Sequence, residues 1–217
     1  MAEIIAPLAD YPGIACKYDT SANPFFVPIV REALGKIAES ATGVKLLDLI
    51  AKASPRQRAD FAPSINVMVV PEAMTFVQNG HKAVFFSGGG MKKNLVPSND
   101  PRHQAPAEAP DGCQFYKLGG SKNAAKDANA STTQGQGSVC TMYFTNVEVM
   151  TSKGESARPY IVLAHELIHS YHCLYGIKKD GKDEELCTTG IEGFEDQDIT
   201  ENKIREELKI QKRIAYF

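Results

Sequence analysis

The residues best suited to chemistry are His165-Glu166-Leu167-Ile168-His169. Two histidines four apart on an α-helix leave the same face, separated by an axial rise of about 6 Å. Their imidazoles can converge on one cation with bonds of about 2 Å. Glu166, beside His165, can address a water at such a cation without ligating it. Its chemistry would be that of a general base, taking the water's proton and then delivering it to a leaving amine. Ile161, Val162, Leu163, Ala164, Leu167 and Ile168 make the surroundings strongly apolar. Polar groups in a buried helix need partners, and a metal would supply one to both histidines.

Three protein ligands plus an open position describe a hydrolytic zinc site. After Gly176 the chain turns at 178–181. Asp183-Glu184-Glu185-Leu186-Cys187 then offers carboxylates on a returning helix. Glu185 is taken as the third ligand, with Glu184 as the alternative. A carboxylate softens the charge of zinc less than a thiolate would and keeps it a good Lewis acid. His172 lies one turn beyond His169, but a straight helix cannot point three successive turns at one tetrahedral centre. It therefore reads as a residue supporting the ligands or the core. His81 and His103 sit in turn-like contexts and read as solvated.

The elements that must position these groups are partly legible. Ala157–Tyr175 has helix signals, with Gly176 as a C-cap. A second helix is expected from Thr200 to Lys209, capped by Thr200. On it Glu201 and Arg205 stand four apart, either as an ordinary surface pair or as groups that orient a ligand. Residues 28–53 follow the 3.6-residue period and predict two helices separated at Gly43, a helical hairpin over the core. Residues 65–70 and 83–86 are β-prone, as is Ser138–Phe144. That last strand is expected at a sheet edge, aligning an extended peptide with Tyr143 or Phe144 near the cleft. Residues 1–24, with Pro7, Pro12, Gly13 and Pro24, read as an irregular arm. Residues 25–217 read as one domain, with a long Gly/Pro-rich insertion at 87–137 that is either functional or disordered.

Bulk properties narrow the classes. A chain of 217 residues, 43% hydrophobic and 23% charged, with net charge −2, has the composition of an ordinary globule. Nothing in that balance points to nucleic acid or an anionic membrane. No Sec-type signal is visible in the given sequence, and no run approaches 18 apolar residues. Cys16, Cys113, Cys140, Cys173 and Cys187 are odd in number and form no CxxC pair. That argues for free thiols and a reducing compartment.

The stretch HELIHSYHCLYG at 165–176 resembles the active-site helix of clostridial neurotoxin light chains. Glu184-Glu185-Leu186-x-Thr188 resembles their glutamate motif, whose second Glu is the ligand. Arg213-Ile214-Ala215-Tyr216 resembles their RxxY pair, which implies that Arg213 and Tyr216 stabilise the transition state. The size, and the series through Thr200-Glu201-Asn202-Lys203-Ile204-Arg205-Glu206-Glu207, resemble more closely the type III secretion effector zinc peptidases of the NleD and HopH type. The resemblance covers about residues 160–217. It implies a secreted virulence factor, a gluzincin-like metalloendopeptidase with one zinc ion per chain. Delivery would be by a non-Sec route into a host cell, with cleavage of cytosolic signalling proteins such as MAP kinases. A monomer is favoured.

The fold expected is α+β: a compact zincin-like domain with a small mixed sheet packed on the metal-binding helix and an N-terminal helical hairpin. The competing reading is a non-enzymatic binding module with a structural zinc, closed by His172 or Cys173 as fourth ligand.

Overall fold

The computed structural model describes residues 3–21, 23–57, 61–71, 73–78, 81–86, 91–92, 107–108, 114–117, 123–144, 146, 149–150 and 156–215. Residues 1–24, expected as an irregular arm, carry two strands, β1 (Glu3–Pro7) and β2 (Gly13–Asp19). Their prolines lie where strands tolerate them. Pro7 ends the edge strand and Pro12 falls in the turn. Ala15 and Cys16 are fully buried, so this segment belongs to the core sheet.

Two helices follow, α1 (Phe26–Ile37) and α2 (Ala41–Lys52). The break falls at residues 38–40 and not at Gly43. Ser40 caps α2 by accepting the Gly43 N–H at 3.0 Å, a short side chain meeting an orphan donor of the first turn. Gly43 is needed for close approach: a Cβ there would lie 2.0 Å from the Ile37 carbonyl oxygen.

The core sheet has the order β1-β2-β3-β10-β9, with β3 at Ile65–Pro71, β9 at Asn123–Ala125 and β10 at Cys140–Phe144. Strand β3 runs parallel to both β2 and β10, while β1 and β9 pair antiparallel at the two edges. Helices α1 and α2 form the crossover from β2 to β3, as a parallel pair requires. A second sheet, ordered β6-β5-β4-β8-β7, intervenes before β9. It comprises β4 (Ala73–Gln78), β5 (His81–Phe86), β6 (Met91–Lys92), β7 (Ala107–Glu108) and β8 (Gln114–Lys117). A short helix α3 (Ala128–Ser131) precedes β10. The insertion at 87–137 therefore holds β6 to β9 and α3 among its described residues. His103 lies outside them.

Strand β10 is not an edge. Residues Cys140, Thr141 and Met142 pair with β9 on one side, and the whole strand pairs with β3 on the other. Cys140, Met142 and Phe144 alternate onto the buried face, and Phe144 is fully buried in the core. Tyr143 points the other way and is exposed.

The chain closes with β11 (Val149–Met150), β12 (Ser156–Ala157) and three helices: α4 (Pro159–Tyr175), α5 (Gly181–Thr189) and α6 (Glu201–Glu207). Helix α4 begins with Pro159, whose missing N–H costs nothing at a first-turn position. It ends at Gly176, with φ +68°. A Cβ on Gly176 would meet the Thr133 carbonyl at 2.0 Å, so the helix end fits closely against the turn after α3. Twelve of the 17 residues of α4 are buried. Leu163, Leu167 and Ile168 join Met142 and Phe144 of β10, Val67 and Val69 of β3, and Val30, Leu34 and Leu46 of the paired helices. Each such side chain contributes roughly 1.5–3 kcal/mol by leaving water. The arrangement is the expected α+β one, a small mixed sheet packed against the HExxH helix, with a pair of helices on the N-terminal side. No described helix is long and apolar enough to cross a membrane.

Candidate metal centre

Helix α4 presents His165 and His169 on one face, and α5 returns alongside it with Glu184 and Glu185. The Nε2 atoms of the two histidines lie 3.1 Å apart, and Glu185 Oε2 lies 3.1 Å from one and 3.2 Å from the other. Two neutral imidazoles protonated at Nδ1 would meet there lone pair to lone pair, a repulsion that a cation between them would relieve. Tetrahedral bonds of about 2 Å place ligand atoms roughly 3.3 Å apart. The three donor atoms thus form the triangle that one small dication would face. Nitrogen and oxygen donors of this kind suit zinc.

The other ring nitrogens support that assignment. His165 Nδ1 lies 2.8 Å from Glu201 Oε2 on α6, and His169 Nδ1 lies 2.7 Å from Glu184 Oε1. An ionised carboxylate only accepts, so each Nδ1 carries a proton, and each Nε2, which faces Glu185, is the atom that would give up its proton to a metal. Thr188, one turn after Glu184, places its hydroxyl 3.1 Å from His169 Nδ1.

Burial works against charging His169, but its hydrogen bonds to Glu184 and Glu185 outweigh this and hold its pKa at about 10. His165 shows the same balance: desolvation opposes the charge, and Glu185 and Glu201 raise the pKa above its ordinary value. Burial alone would raise the pKa of Glu184 and Glu201, yet their histidine partners draw each down to about 2. Glu185 is likewise held well below the usual carboxylate range, by His165 and His169 against its own desolvation. A carboxylate field that retains protons this strongly is one that attracts a dication.

The pair of adjacent glutamates is divided by exposure. Glu185 has a side chain 28% exposed and brings the triad to the surface, whereas Glu184 is 4% exposed and faces inward. Glu184 Oε1 also accepts from His172 Nδ1 at 2.8 Å, and Oε2 accepts the Lys179 N–H at 2.8 Å. His172 is therefore turned away from the triad, toward Glu184. Cys173 is a buried free thiol, as are Cys16, Cys140 and Cys187. Burial pushes the Cys16 thiol up to about 12. Neither His172 nor Cys173 closes a fourth position on the triad, as a structural zinc site would need. Glu166 is buried beside His165 and is not part of the triad.

Glu201 and Arg205 form a buried pair, each 1% exposed. Glu201 Oε1 accepts from Arg205 Nε, and Oε2 serves both His165 and Arg213 Nη1, the latter at 3.3 Å. The surface-pair reading fails because α6 packs this face against α4. Arg213 does not reach the site from a helix, since α6 ends at Glu207. Tyr216 lies outside the described residues. Two neighbours, Thr188 and Asn202, stood in the quoted motifs without a role assigned to them. Thr188 was legible as the residue one turn from Glu184. Asn202, which bonds the Arg213 backbone, carried no spacing signal.

A family model, Peptidase M91, described as "Effector protein", matches residues 15–216. No curated protein matches the chain. Among solved structures, the botulinum neurotoxin type D light chain is similar with a TM-score of 0.43 and 19% identity, over 91% of this chain and 58% of that one. The chain thus spans less than two thirds of that light chain's length. With a family model covering nearly all of it, the chain belongs to the Peptidase M91 family of effector proteins.

Proposed function

We propose that this effector peptidase is a zinc-dependent endopeptidase, gluzincin-like in its HExxH site, with one zinc per chain held by His165, His169 and Glu185. The observation that carries the reading is the convergence of three donor atoms within 3.1–3.2 Å, with both opposite ring nitrogens tied to buried carboxylates. Zinc held there supplies Lewis-acid polarisation of a peptide carbonyl and lowers the pKa of water.

The remaining work falls to the chain. The Glu166 carboxylate takes the proton of the attacking water and returns it to the departing amide nitrogen. Arg213 and Tyr216 donate to the oxygen that gains negative charge, where preorganised donors are worth most. Glu201 and Glu184 fix the tautomer and tilt of His165 and His169, and Arg205 and His172 hold those carboxylates. The resemblance to type III effector peptidases supports a protein substrate in the host cytosol, a signalling protein such as a MAP kinase, reached by a non-Sec route.

The test measures zinc content and cleavage together, for wild type and Glu166→Gln, with new protein termini mapped in a eukaryotic lysate. Stoichiometric zinc in both, with new termini only for wild type, is the expected result. Zinc in neither would end the metal reading. Equal cleavage by both would remove Glu166 from the chemistry.

A further inference from the structure

The tail that carries Arg213 has no helix or strand of its own over residues 208–215. Something else must fix it. The Asn202 side chain meets the Arg213 backbone at both polar groups: Oδ1 accepts the Arg213 N–H at 2.7 Å, and Nδ2 donates to the Arg213 carbonyl at 2.9 Å. A carboxamide offers the same donor and acceptor as a peptide unit, so these two bonds act as one rung of a β-ladder. The same Nδ2 lies 3.4 Å from the Gly190 carbonyl, at the end of α5, the helix of Glu184 and Glu185. Glu201, one residue before Asn202, holds the Arg213 guanidinium. Adjacent residues of α6 thus grip Arg213 by its backbone and by its side chain.

We propose that Asn202 is a positioning residue that clamps the C-terminal tail and aims Arg213 at the substrate carbonyl. The proposal rests on the reading of Arg213 given above. Asn202 is buried, and few replacements can imitate it. Ala loses both bonds, Asp keeps only the acceptor, and Gln carries the group one carbon too far.

The experiment uses the zinc-loaded full chain, wild type, Asn202→Ala, Asn202→Asp, Arg213→Ala and Asn202→Ala/Arg213→Ala. Amide hydrogen exchange at Arg213 is measured beside kcat and KM for a peptide spanning the bond mapped in the lysate. Losing a buried hydrogen bond of ordinary strength predicts about tenfold faster exchange of the Arg213 amide in Asn202→Ala. It also predicts a fall of about tenfold in kcat with KM little changed, the pattern of an interaction made in the transition state. Zinc content stays at wild type. The double variant is no slower than Arg213→Ala, because a clamp has nothing to aim once the guanidinium is gone. Asn202→Asp retains amide protection and falls between, and it carries the test if Asn202→Ala does not fold.

Unchanged exchange in the folded variants overturns the clamp. Faster exchange with wild-type kcat, while Arg213→Ala is slow, overturns the positioning role. Wild-type kcat in Arg213→Ala sinks the reading of Arg213 and the positioning role with it, while the exchange rates still report the clamp separately.

Discussion

Glu184→Gln asks whether the inner glutamate supports the metal site without touching the metal. In the wild type, Oε1 accepts from His169 Nδ1 and His172 Nδ1 at 2.7 and 2.8 Å, and Oε2 accepts the Lys179 N–H at 2.8 Å. A glutamine has one acceptor oxygen and one donor nitrogen. With the oxygen at the histidines, its NH2 opposes the Lys179 N–H. Reversed, it opposes two imidazole N–H groups. The bond to His169 also loses its charge assistance, roughly half its strength. Ligand-orienting partners of this kind are typically worth 10–100-fold in metal affinity, or about 1.4–2.7 kcal/mol. Glu185→Gln should cost more, since it replaces the charged oxygen of the triad with that of a neutral amide. The assay is competition for zinc against a chromophoric chelator, with circular dichroism to confirm the fold. Wild-type affinity in Glu184→Gln would refute the argument, as would a larger loss there than in Glu185→Gln.

Three further outcomes follow from the packing. Gly43→Ala should destabilise by about 1–3 kcal/mol in denaturant titration, because the Cβ collides with the Ile37 carbonyl; a gain in stability, as helix propensity alone would give, would contradict the geometry. Glu207→Ala should cost about 1–2 kcal/mol, since its carboxylate accepts both the Thr42 N–H and hydroxyl at 2.8 Å at the start of α2, with zinc affinity unchanged. Chelation should lower the thermal midpoint of the loaded protein, and added zinc should restore it, by the linkage between binding and folding; an unmoved midpoint would argue against a metal held by the native state.

The sequence showed the local parts of this molecule better than the distant ones. Spacing alone put His165 and His169 on one helical face and Gly176 at its end, because those relations lie within a turn or two. The Ser40 break was missed because a glycine at 43 looks like a helix breaker, whereas it serves a close approach inside the first turn. The strands at 3–7 and 13–19 were missed because Pro7, Pro12 and Pro24 read as breaks, yet Pro7 ends β1 and Pro12 lies in the turn before β2. The edge position expected for 138–144 failed because β9 pairs over Cys140–Met142, a contact that no local pattern encodes. Glu201 was the hardest case. Its spacing to Arg205 is that of an ordinary solvated i,i+4 pair, and only the packing of α6 on α4, 36 residues away, turns it into a partner of His165.

The same packing explains why so many charges tolerate burial here. Buried Glu166, Glu184 and Glu201 and the partly exposed Glu185 gather around two histidines, with Arg205 and Arg213 as the guanidiniums. With the imidazoles neutral, as ligands to a metal must be, four carboxylates and two guanidiniums leave two formal negative charges; without a metal, the raised pKa values of His165 and His169 supply the balancing protons. Burying charge without compensation costs several kcal/mol per ion. A protein could offset that with more arginine, and this one does so for Glu201. At Glu185 it does not. The charge left over faces the spot where donor atoms of His165, His169 and Glu185 converge, and it equals that of one divalent cation. The arginines stand behind His165, where they hold Glu201 without entering the triad. That division of labour leaves Arg213 anchored through its guanidinium by Glu201 and through its backbone by Asn202, so that, on the proposed reading, its direction is set before any substrate arrives.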